Sequence, residues 1–401
     1  MKHTGAKRLL WVKYGTLDTG LDRATWLETG EALRRMGFDV TLVTSFHHAP
    51  AEFAGWPAGS IVWLPELPLR FARLVAFDIM AWAAVTRRCL RRPPDYVLVS
   101  VPTFATAFPF DLFRRLGLRG PKTVMDLRTF EFGALGPVAS RHDRAYRAIT
   151  RLAFAYGRVA HFGTTAINPR LARAAVAMGA RSTVGVWGSG WSAAVAPAAP
   201  TAPVAVAASV ADSLERMRAR FVVMYHGAMT ANRGLMEALE AFRLAVTQRP
   251  RLMFTLVGDG PQLARLGARV EELGLADDCL LLPPLPHEEV LALVSAASLG
   301  YMVYPDIRYW DYNHPIKVAE YLSRGVPILC SPIPMFRDNY PDCEGLIYCS
   351  SNAPAAVADS LISCHDDPTD LARRGAAARA FAEDLTWERQ AGSLARFLES
   401  L

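Results

Sequence analysis

The chain has 401 residues, of which 51% are hydrophobic, and its formal net charge is +6. This length favours two domains with sizeable cores over one. The six cysteines include no C-x-x-C pair, and no histidine pair has zinc-finger spacing, which argues against a structural zinc site and a redox dithiol. Scattered cysteines fit a reducing compartment.

The N-terminal residues 1–8 are basic but lack the apolar stretch and cleavage site of a signal peptide. The longest apolar run, Leu74–Val85, is too short to span a bilayer. We therefore expect a cytoplasmic protein that is at most peripheral at the inner face of the membrane.

The excess of arginine favours anionic partners such as nucleotide phosphates or anionic lipids, although most single arginines are expected to be solvated surface groups. The basic residues are dispersed and no nucleic-acid-binding module is present, which argues against a nucleic-acid partner.

The first half of the chain alternates short apolar runs with helical patterns. The predicted strands are Arg8–Tyr14, Asp39–Ser45, Tyr96–Val101, Thr123–Leu127, Val159–Thr164 and Val184–Trp187, and the predicted helices are Arg23–Met36 and His142–Tyr156. This order is typical of a parallel sheet built from βαβ units.

After an alanine- and proline-rich stretch, Ser192–Ser213, the alternation begins again. The predicted strands are Phe221–His226, Met253–Gly258, Cys279–Leu282, Gly300–Tyr304 and Pro327–Cys330, and the predicted helices are Gly234–Gln248, Gln262–Leu273, His287–Ala297 and Ile316–Arg324. The pattern predicts an α/β protein with two doubly wound Rossmann-like domains facing across a cleft, where ligands would lie at the carboxyl ends of the strands.

The segment Asn313–Gly325 is the strongest candidate for binding chemistry. Pro315 suits the first turn of a helix and Gly325 suits its C-terminal cap. The N–H groups of the first helical residues, Ile316, Lys317 and Val318, would then be free at a positive helix end, where a diphosphate binds well.

Lys317 adds a formal charge to this helix end, and Glu320 lies three residues on, where its carboxylate would accept two ribose hydroxyl protons. A surface salt-bridge row of Lys317, Glu320 and Arg324 is the alternative, and this segment by itself does not decide between the two.

Two further turns follow predicted strands of the second half. Gly227 permits close backbone approach, and Arg233 precedes a predicted helix, from where it would fork onto a diphosphate, unless it is an ordinary loop arginine. Gly258-Asp-Gly-Pro261 is a tight turn but not G-x-G-x-x-G, and the absence of that motif after any predicted strand argues against a dinucleotide oxidoreductase.

In the first half, the loop beginning at Gly15 would approach a phosphate or an acceptor, or would be an ordinary loop. Asp126 and Arg128 stand at the end of a predicted strand, where they would hold acceptor or sugar hydroxyls. A structural Asp126–Arg128 pair is the alternative.

Together these segments resemble the GT-B glycosyltransferases of family four over nearly the whole chain. The second half carries YHG…RGL, LVGDGP, LPHEEVLALVSAASLG and P-x-K-x-x-EYLxxGxP in that order. The first half is similar to one branch of the family through KYGTLDTG and MDLRTFE, and LTWERQAGSLARFLESL looks like the tryptophan-bearing last helix of the family.

The resemblance implies an acceptor-side domain at 1–190, a linker at 191–215, a nucleotide-sugar-binding domain at 216–384 and a helix at 385–401 that crosses back to the N-terminal domain. It implies transfer of a sugar, as in hexosyltransferases, from a nucleoside diphosphate donor with retention at the anomeric carbon. The acceptor would be a glycan, a lipid-linked molecule or a small molecule. Neither a metal nor another cofactor is implied.

By the same resemblance, Glu320 would hold the ribose, Arg233 would contact the diphosphate with help from Lys317, and the base would lie near Leu285 and Pro286. The predicted catalytic residues are Asp126, Arg128, Arg233 and Lys317. The predicted donor-binding residues are Gly15, Gly227, Arg233, Gly258, Leu285, Pro286, Asn313, His314, Pro315, Ile316, Lys317 and Glu320.

The chain departs from the family at Tyr312, where a glutamate is common, and at Ala228, where an arginine is common. No histidine matches a catalytic one, although His161 and His226 are candidates by residue type. A sugar-nucleotide epimerase or hydrolase and a catalytically inactive partner subunit therefore remain alternatives.

Leu69–Arg92 is apolar in the middle and arginine-rich at both ends. It would lie on an anionic membrane surface, or its apolar part would pack on the sheet.

Overall fold

The computed structural model describes residues 6–17, 23–46, 53, 56–67, 72–117, 120–129, 141–181, 183–192 and 208–401. Most of the predicted linker 191–215 and the end of the glycine loop that begins at Gly15 lie outside these ranges. The chain divides into two compact units. Unit 1 comprises the described residues up to Ser189 with Tyr312–His314 and Trp387–Leu401, and unit 2 comprises those of Gly190–Asp311 and Pro315–Thr386.

Each unit is built on one parallel sheet. The strands of unit 1 are β1 (Lys7–Thr16), β2 (Phe38–Phe46), β3 (Ile61–Pro65), β4 (Tyr96–Ser100), β5 (Lys122–Leu127), β6 (Gly163–Ala166) and β7 (Gly185–Val186). Those of unit 2 are β8 (Phe221–His226), β9 (Leu252–Val257), β10 (Cys279–Leu282), β11 (Leu299–Met302), β12 (Ile328–Cys330) and β13 (Leu346–Tyr348).

Helices follow most of these strands along the chain. They are α1 (Arg23–Arg35), α2 (Arg73–Arg91), α3 (Phe108–Arg115), α4 (Arg141–Val159), α5 (Pro169–Ala177), α6 (Ala208–Met217), α7 (Leu235–Gln248), α8 (Leu263–Glu272), α9 (His287–Ala296), α10 (Ile316–Ser323), α11 (Pro334–Asn339), α12 (Pro354–Asp366), α13 (Pro368–Ala382) and α14 (Trp387–Ser400).

The sheet of unit 1 has the order β3-β2-β1-β4-β5-β6-β7 and is covered on both faces. One apolar cluster joins Trp26 of α1 to Leu394 of α14, and another joins Phe77 of α2 to Phe154 of α4. Strands buried on both faces are expected to be almost continuously apolar, as the LLWV stretch of β1 is.

The sheet of unit 2 has the order β10-β9-β8-β11-β12-β13, so the strand order reverses between β8 and β11. Open parallel sheets bind ligands at the carboxyl ends of the strands beside such a reversal. The turn after β8 and the start of α10, which follows β11, therefore belong to the expected binding region of this unit.

The structure confirms two predicted strands to the residue, Phe221–His226 and Cys279–Leu282. The predicted strand Val159–Thr164 is wrong at its start because α4 continues through Val159 and the chain then turns at His161, where φ is 54°. Val159 is exposed at the end of that helix, so its β-branched side chain contributes nothing to the sheet. Within the described ranges, no helix is both long enough and apolar enough to cross a bilayer.

Candidate functional site

The turns after β8 and β9 lie backbone against backbone. Gly227 has φ 120° and Gly258 has φ 146°, and both values lie in a region that L side chains rarely adopt. A Cβ atom on Gly258 would lie 2.0 Å from the carbonyl oxygen of Gly227. The Gly227 N–H donates to the Val257 carbonyl at 2.8 Å, which holds the two turns together.

Lys317, in the first turn of α10, reaches back to the turn after β8. Its Nζ donates to the carbonyl of His226 and lies 4.2 Å from the centre of the Tyr225 ring. A Cβ atom on Gly227 would come within 2.7 Å of this nitrogen, so the glycine makes room for the amine. Burial, followed by the charge of Arg233, lowers the pKa of Lys317 well below its ordinary value of 10.5.

Arg233 is held by aromatic rings of the same unit. Its guanidinium carbon lies 4.5 Å from the centre of the Trp310 ring and 5.5 Å from that of Tyr304. Trp310 is itself anchored, since its Nε1 donates to the Asn232 carbonyl at 2.9 Å. The Nε of Arg233 is buried and has no hydrogen-bond partner among the described residues, so the group has donor capacity left for a ligand.

Glu320 is buried on α10 between two imidazoles. Its Oε2 lies 3.4 Å from Nε2 of His226, and its Oε1 lies 3.5 Å from Nε2 of His287. Burial raises the pKa of the Glu320 carboxyl, and it lowers the pKa of His226 well below 6.5 with help from the charge of Lys317. His226 is therefore a neutral neighbour of the carboxylate at pH 7.

Two basic side chains, Lys317 and Arg233, lie in this region together with the buried carboxylate of Glu320. Burial opposes the charged form of the Lys317 amine, and a nearby anion favours it. The pair of basic groups therefore favours an anionic ligand.

The N-terminus of α10 offers fewer free N–H groups than predicted. Pro315 precedes the helix, and its carbonyl accepts the N–H of Val318 at 3.2 Å, so the expectation that Val318 is free is wrong. The first turn closes between residues three apart, which is common at helix ends. The N–H groups of Ile316 and Lys317 belong to the first turn of α10, where a helix leaves its N–H groups without an intrahelical partner.

Leu285 and Pro286 stand between β10 and α9. Leu285 packs partly against the core of unit 2, whereas Pro286 is exposed and its carbonyl accepts the N–H of Glu289 at 3.0 Å. The two residues therefore fix the start of α9, where His287 begins.

Asp126 and Arg128 form a buried pair in unit 1. Oδ1 of Asp126 accepts from Oγ1 of Thr165 at 2.7 Å and from Nε1 of Trp187 at 3.1 Å, and Oδ2 lies 3.5 Å from Nε of Arg128. Burial raises the pKa of Asp126. The guanidinium of Arg128 stacks 3.5 Å from the centre of the Trp187 ring. These contacts favour the structural alternative for Asp126, while Arg128 keeps a partly exposed edge.

Asn313 and His314 belong to unit 1, although Pro315 next to them belongs to unit 2. Nδ1 of His314 accepts the N–H of Ser189 at 3.2 Å, and its carbonyl accepts Oγ of the same serine at 2.8 Å. Burial and then the charge of Arg128 lower the pKa of His314 to about 3. The Asn313 carbonyl accepts from Nδ2 of Asn168 at 3.2 Å.

Tyr312, the residue that departs from the family pattern, packs partly against the core of unit 1. Gly15 also lies in unit 1, with φ 123°, and its carbonyl accepts from Oγ1 of Thr44 at 2.7 Å. The predicted residues therefore fall into two groups. Gly15, Asp126, Arg128, Asn313 and His314 lie in unit 1, and the others lie in unit 2.

Sequence reasoning missed His287 and Trp310. His287 had a weak signal, since it directly follows Leu285 and Pro286, but nothing in its neighbourhood indicated a contact with Glu320. Trp310 had none, because an aromatic residue in a loop is as often packing as function. Among the described residues, no cluster of three or more histidine, cysteine or acidic side chains could hold a metal ion.

The chain is similar to a known protein family and to several solved structures. Residues 211–381 match the family Glycosyl transferases group 1. Among solved structures, HepE of Anabaena in complex with UDP-glucose aligns over 98% of this chain and 100% of its own, with 14% identity and a TM-score of 0.72. Sucrose-phosphate synthase of Thermosynechococcus elongatus aligns over 98% of each chain, with 14% identity and a TM-score of 0.73.

WaaG, described as a glycosyltransferase involved in lipopolysaccharide biosynthesis, aligns over 97% of this chain and 99% of its own, with 12% identity and a TM-score of 0.70. A search of curated proteins found no match. At these identities the structural likenesses establish the fold. With its parallel sheets, its GT-B neighbours and the family match of its second half, the chain resembles the family-four glycosyltransferases of the GT-B fold.

Proposed function

We propose that this protein transfers a sugar from a nucleoside diphosphate donor to an acceptor, as an enzyme of the EC 2.4 class. The observation that supports it most is the pair of basic side chains, Lys317 at the start of α10 and Arg233 beside Trp310. A diphosphate supplies negative charge for both, and the N–H groups of Ile316 and Lys317 in the first turn of α10 add donors for it.

Each part of the donor has a candidate partner in unit 2. The diphosphate meets Lys317 and Arg233, and the ribose hydroxyls donate to Glu320. Fixed cations aimed at the leaving diphosphate stabilise the charge that develops as the sugar departs. The side chains thus supply what a metal ion supplies elsewhere, and we propose that the reaction needs no metal, so that activity persists in a chelator.

The donor is proposed to be a UDP-sugar, because HepE, of the same fold, is described in complex with UDP and with UDP-glucose. Retention of the anomeric configuration and transfer of a hexose are proposed on the basis of the family resemblance. A panel of UDP-, GDP- and dTDP-sugars tested by thermal shift would identify the base, and a UDP-sugar is expected to give the largest shift.

Substitution in unit 2 tests the proposal. Arg233→Ala and Glu320→Ala are each expected to lower donor turnover about a hundredfold or more while the protein stays folded. Arg218→Ala and Glu272→Ala are matched controls, since both side chains are largely exposed in surface ion pairs. Wild-type turnover in both site variants would refute the assignment.

Product analysis separates the alternatives. A glycosyltransferase yields a glycosylated acceptor and free nucleoside diphosphate in equal amounts. Release of free sugar without an acceptor would favour a hydrolase, a changed sugar on intact nucleotide would favour an epimerase, and nucleotide binding without any product would favour an inactive partner subunit.

We also propose that the protein lies on the membrane surface at the cytoplasmic face and uses a lipid-linked acceptor; α2 of unit 1 supports the membrane contact. The outer side of α2 leaves Val75, Ile79, Trp82 and Leu90 exposed, while Phe77 and Val85 pack inward. The last turn carries Arg88 and Arg91. An apolar stripe edged by arginines favours an anionic bilayer surface.

A flotation assay tests this part separately. The wild-type protein is expected to float with vesicles that contain phosphatidylglycerol and to remain unbound with neutral phosphatidylcholine vesicles. Trp82→Asp is expected to weaken flotation. Leu244→Asp is the control, because Leu244 is an exposed residue of unit 2. Trp63→Asp is unsuitable as a control because the Trp63 ring packs against the core. No binding to anionic vesicles at low salt would refute it.

A further inference from the structure

Glu320 is contacted on both of its carboxylate oxygens by histidines from two other elements. His226 ends β8, is enclosed, and has its Nε2 3.4 Å from Oε2. His287 begins α9, keeps about half of its side chain exposed, at 53%, and has its Nε2 3.5 Å from Oε1. One histidine at the end of β8 and one at the start of α9 therefore lie next to the carboxylate.

We propose that His287 is a positioning residue that sets the orientation of Glu320 toward the ribose of the donor nucleotide. This inference rests on the proposed function and assigns to that site a residue that the sequence did not single out. His287 directly follows Leu285 and Pro286, so it also ties the segment expected near the base to the group expected to hold the ribose.

The orientation of the Glu320 carboxylate depends on the groups that hold it. A carboxylate on a helix turns about several bonds, and it accepts two hydroxyl protons only if its plane is fixed. Nε2 of His226 lies 3.4 Å from Oε2 but makes no hydrogen bond among the described residues, so it does not hold the carboxylate plane. An N–H donor at Oε1 restrains rotation about the last bond, and slight closure of the 3.5 Å separation brings Nε2 of His287 to hydrogen-bond length.

Two basic groups near Glu320 also contact backbone carbonyls. Nζ of Lys317 donates to the His226 carbonyl, and Nη1 of Arg324 lies 3.4 Å from the backbone carbonyl of Glu320. Glu320 is buried, so water screens a contact to its carboxylate less than it screens a contact at the surface.

The test uses two substitutions that place a side-chain N–H donor at different distances from the backbone. In His287→Gln the side-chain amide nitrogen stands about where Nε2 stood, whereas in His287→Asn it stands about where Nδ1 stood. We expect the Kd for UDP to rise about tenfold in His287→Ala and His287→Asn, and to rise less than threefold in His287→Gln. Glu288→Ala, at the exposed next position of α9, is the control and should leave the Kd unchanged.

A second nucleotide shows whether the effect passes through the ribose. UDP lacking the 2′ and 3′ hydroxyls should bind wild type and His287→Ala equally, because Glu320 has no hydroxyl to accept in either case. In turnover, KM for the donor should rise while kcat changes less than twofold.

Three outcomes would overturn the inference. These are an unchanged Kd for UDP in His287→Ala, an equal loss of affinity for UDP and for its dideoxy analogue, and equal effects of the Gln and Asn substitutions. Loss of UDP binding in Glu320→Ala with wild-type binding in His287→Ala would leave the proposed function intact and refute only the role of His287. A wild-type protein that binds no nucleoside diphosphate would refute both.

Discussion

Replacing Lys317 by methionine should stabilise the free protein and weaken its donor binding at the same time. Burial lowers the pKa of the amine well below 10.5, which means that the folded state holds the charge at a cost. Replacing buried ionic groups by apolar ones of similar shape is neutral or stabilising by about 1–4 kcal/mol. At about 2–4 °C per kcal/mol for domains of this size, the melting temperature should rise by several degrees.

The pH dependence of this gain follows from the direction of the pKa shift. Because the pKa of Lys317 is lower in the folded chain, the unfolded chain binds more protons between the folded value and 10.5. The stability of the wild type therefore rises with pH across that interval. The gain in melting temperature from Lys317→Met should be largest at pH values below that interval, and it should disappear as the pH approaches 10.5.

The affinity for the donor should change with pH in the direction opposite to the stability. A diphosphate beside the amine favours its charged form and raises its pKa, so UDP binding takes up at most one proton and the affinity falls by at most about tenfold per pH unit. Isothermal titration calorimetry in two buffers of different ionisation enthalpy measures this uptake, and Lys317→Met should abolish it. A lower melting temperature in the variant, together with an unchanged thermal shift by UDP, would refute the reasoning.

Three further substitutions test other parts of the structure. Asp78→Asn should raise the melting temperature at pH 8 but not at pH 4. Burial raises the pKa of Asp78 to about 7, so the folded wild type loses stability as the pH rises from about 4 to 7. An equal gain in melting temperature at both pH values would contradict this. Gly258→Ala should lower the melting temperature and the affinity for UDP, since its Cβ would lie 2.0 Å from the Gly227 carbonyl. Gly267→Ala in α8, whose Cβ would meet no atom closer than 3.8 Å, should cost much less, and similar melting temperatures would show that the two turns separate easily. Asp126→Asn should destabilise the fold without changing KM for the donor, and a normal melting temperature with lost turnover would instead assign Asp126 to catalysis.

The unit 2 elements that surround the candidate site were largely predictable from local sequence. The apolar run of β8 is followed by Gly227, which has positive φ. Helix α10 lies between Pro315 and Gly325, which suit its two ends. Such signals act between residues close in the chain, so they can be recognised without knowledge of the fold. The same holds for the candidacy of Lys317, Glu320 and Arg233, which local motifs suggested.

Contacts between distant segments could be decided only by the tertiary structure. The sequence left open whether Lys317, Glu320 and Arg324 form a salt-bridge row along α10. The structure directs Lys317 to the His226 carbonyl and brings His287 of α9 to Glu320. It also buries Asp126 against Thr165 and assigns Tyr312–His314 to unit 1 although Pro315 belongs to unit 2.

The physical reason is the range of the interactions. Helix ends, glycine turns and apolar runs depend on a few neighbouring residues. The sequence by itself therefore determined most of the order of βα elements, without β3 and β13, and the position of the candidate donor segment. Burial, the resulting pKa shifts and the partner of each charge depend on which strands become neighbours in the sheet, and those were decided only when β8, β9 and β11 came together.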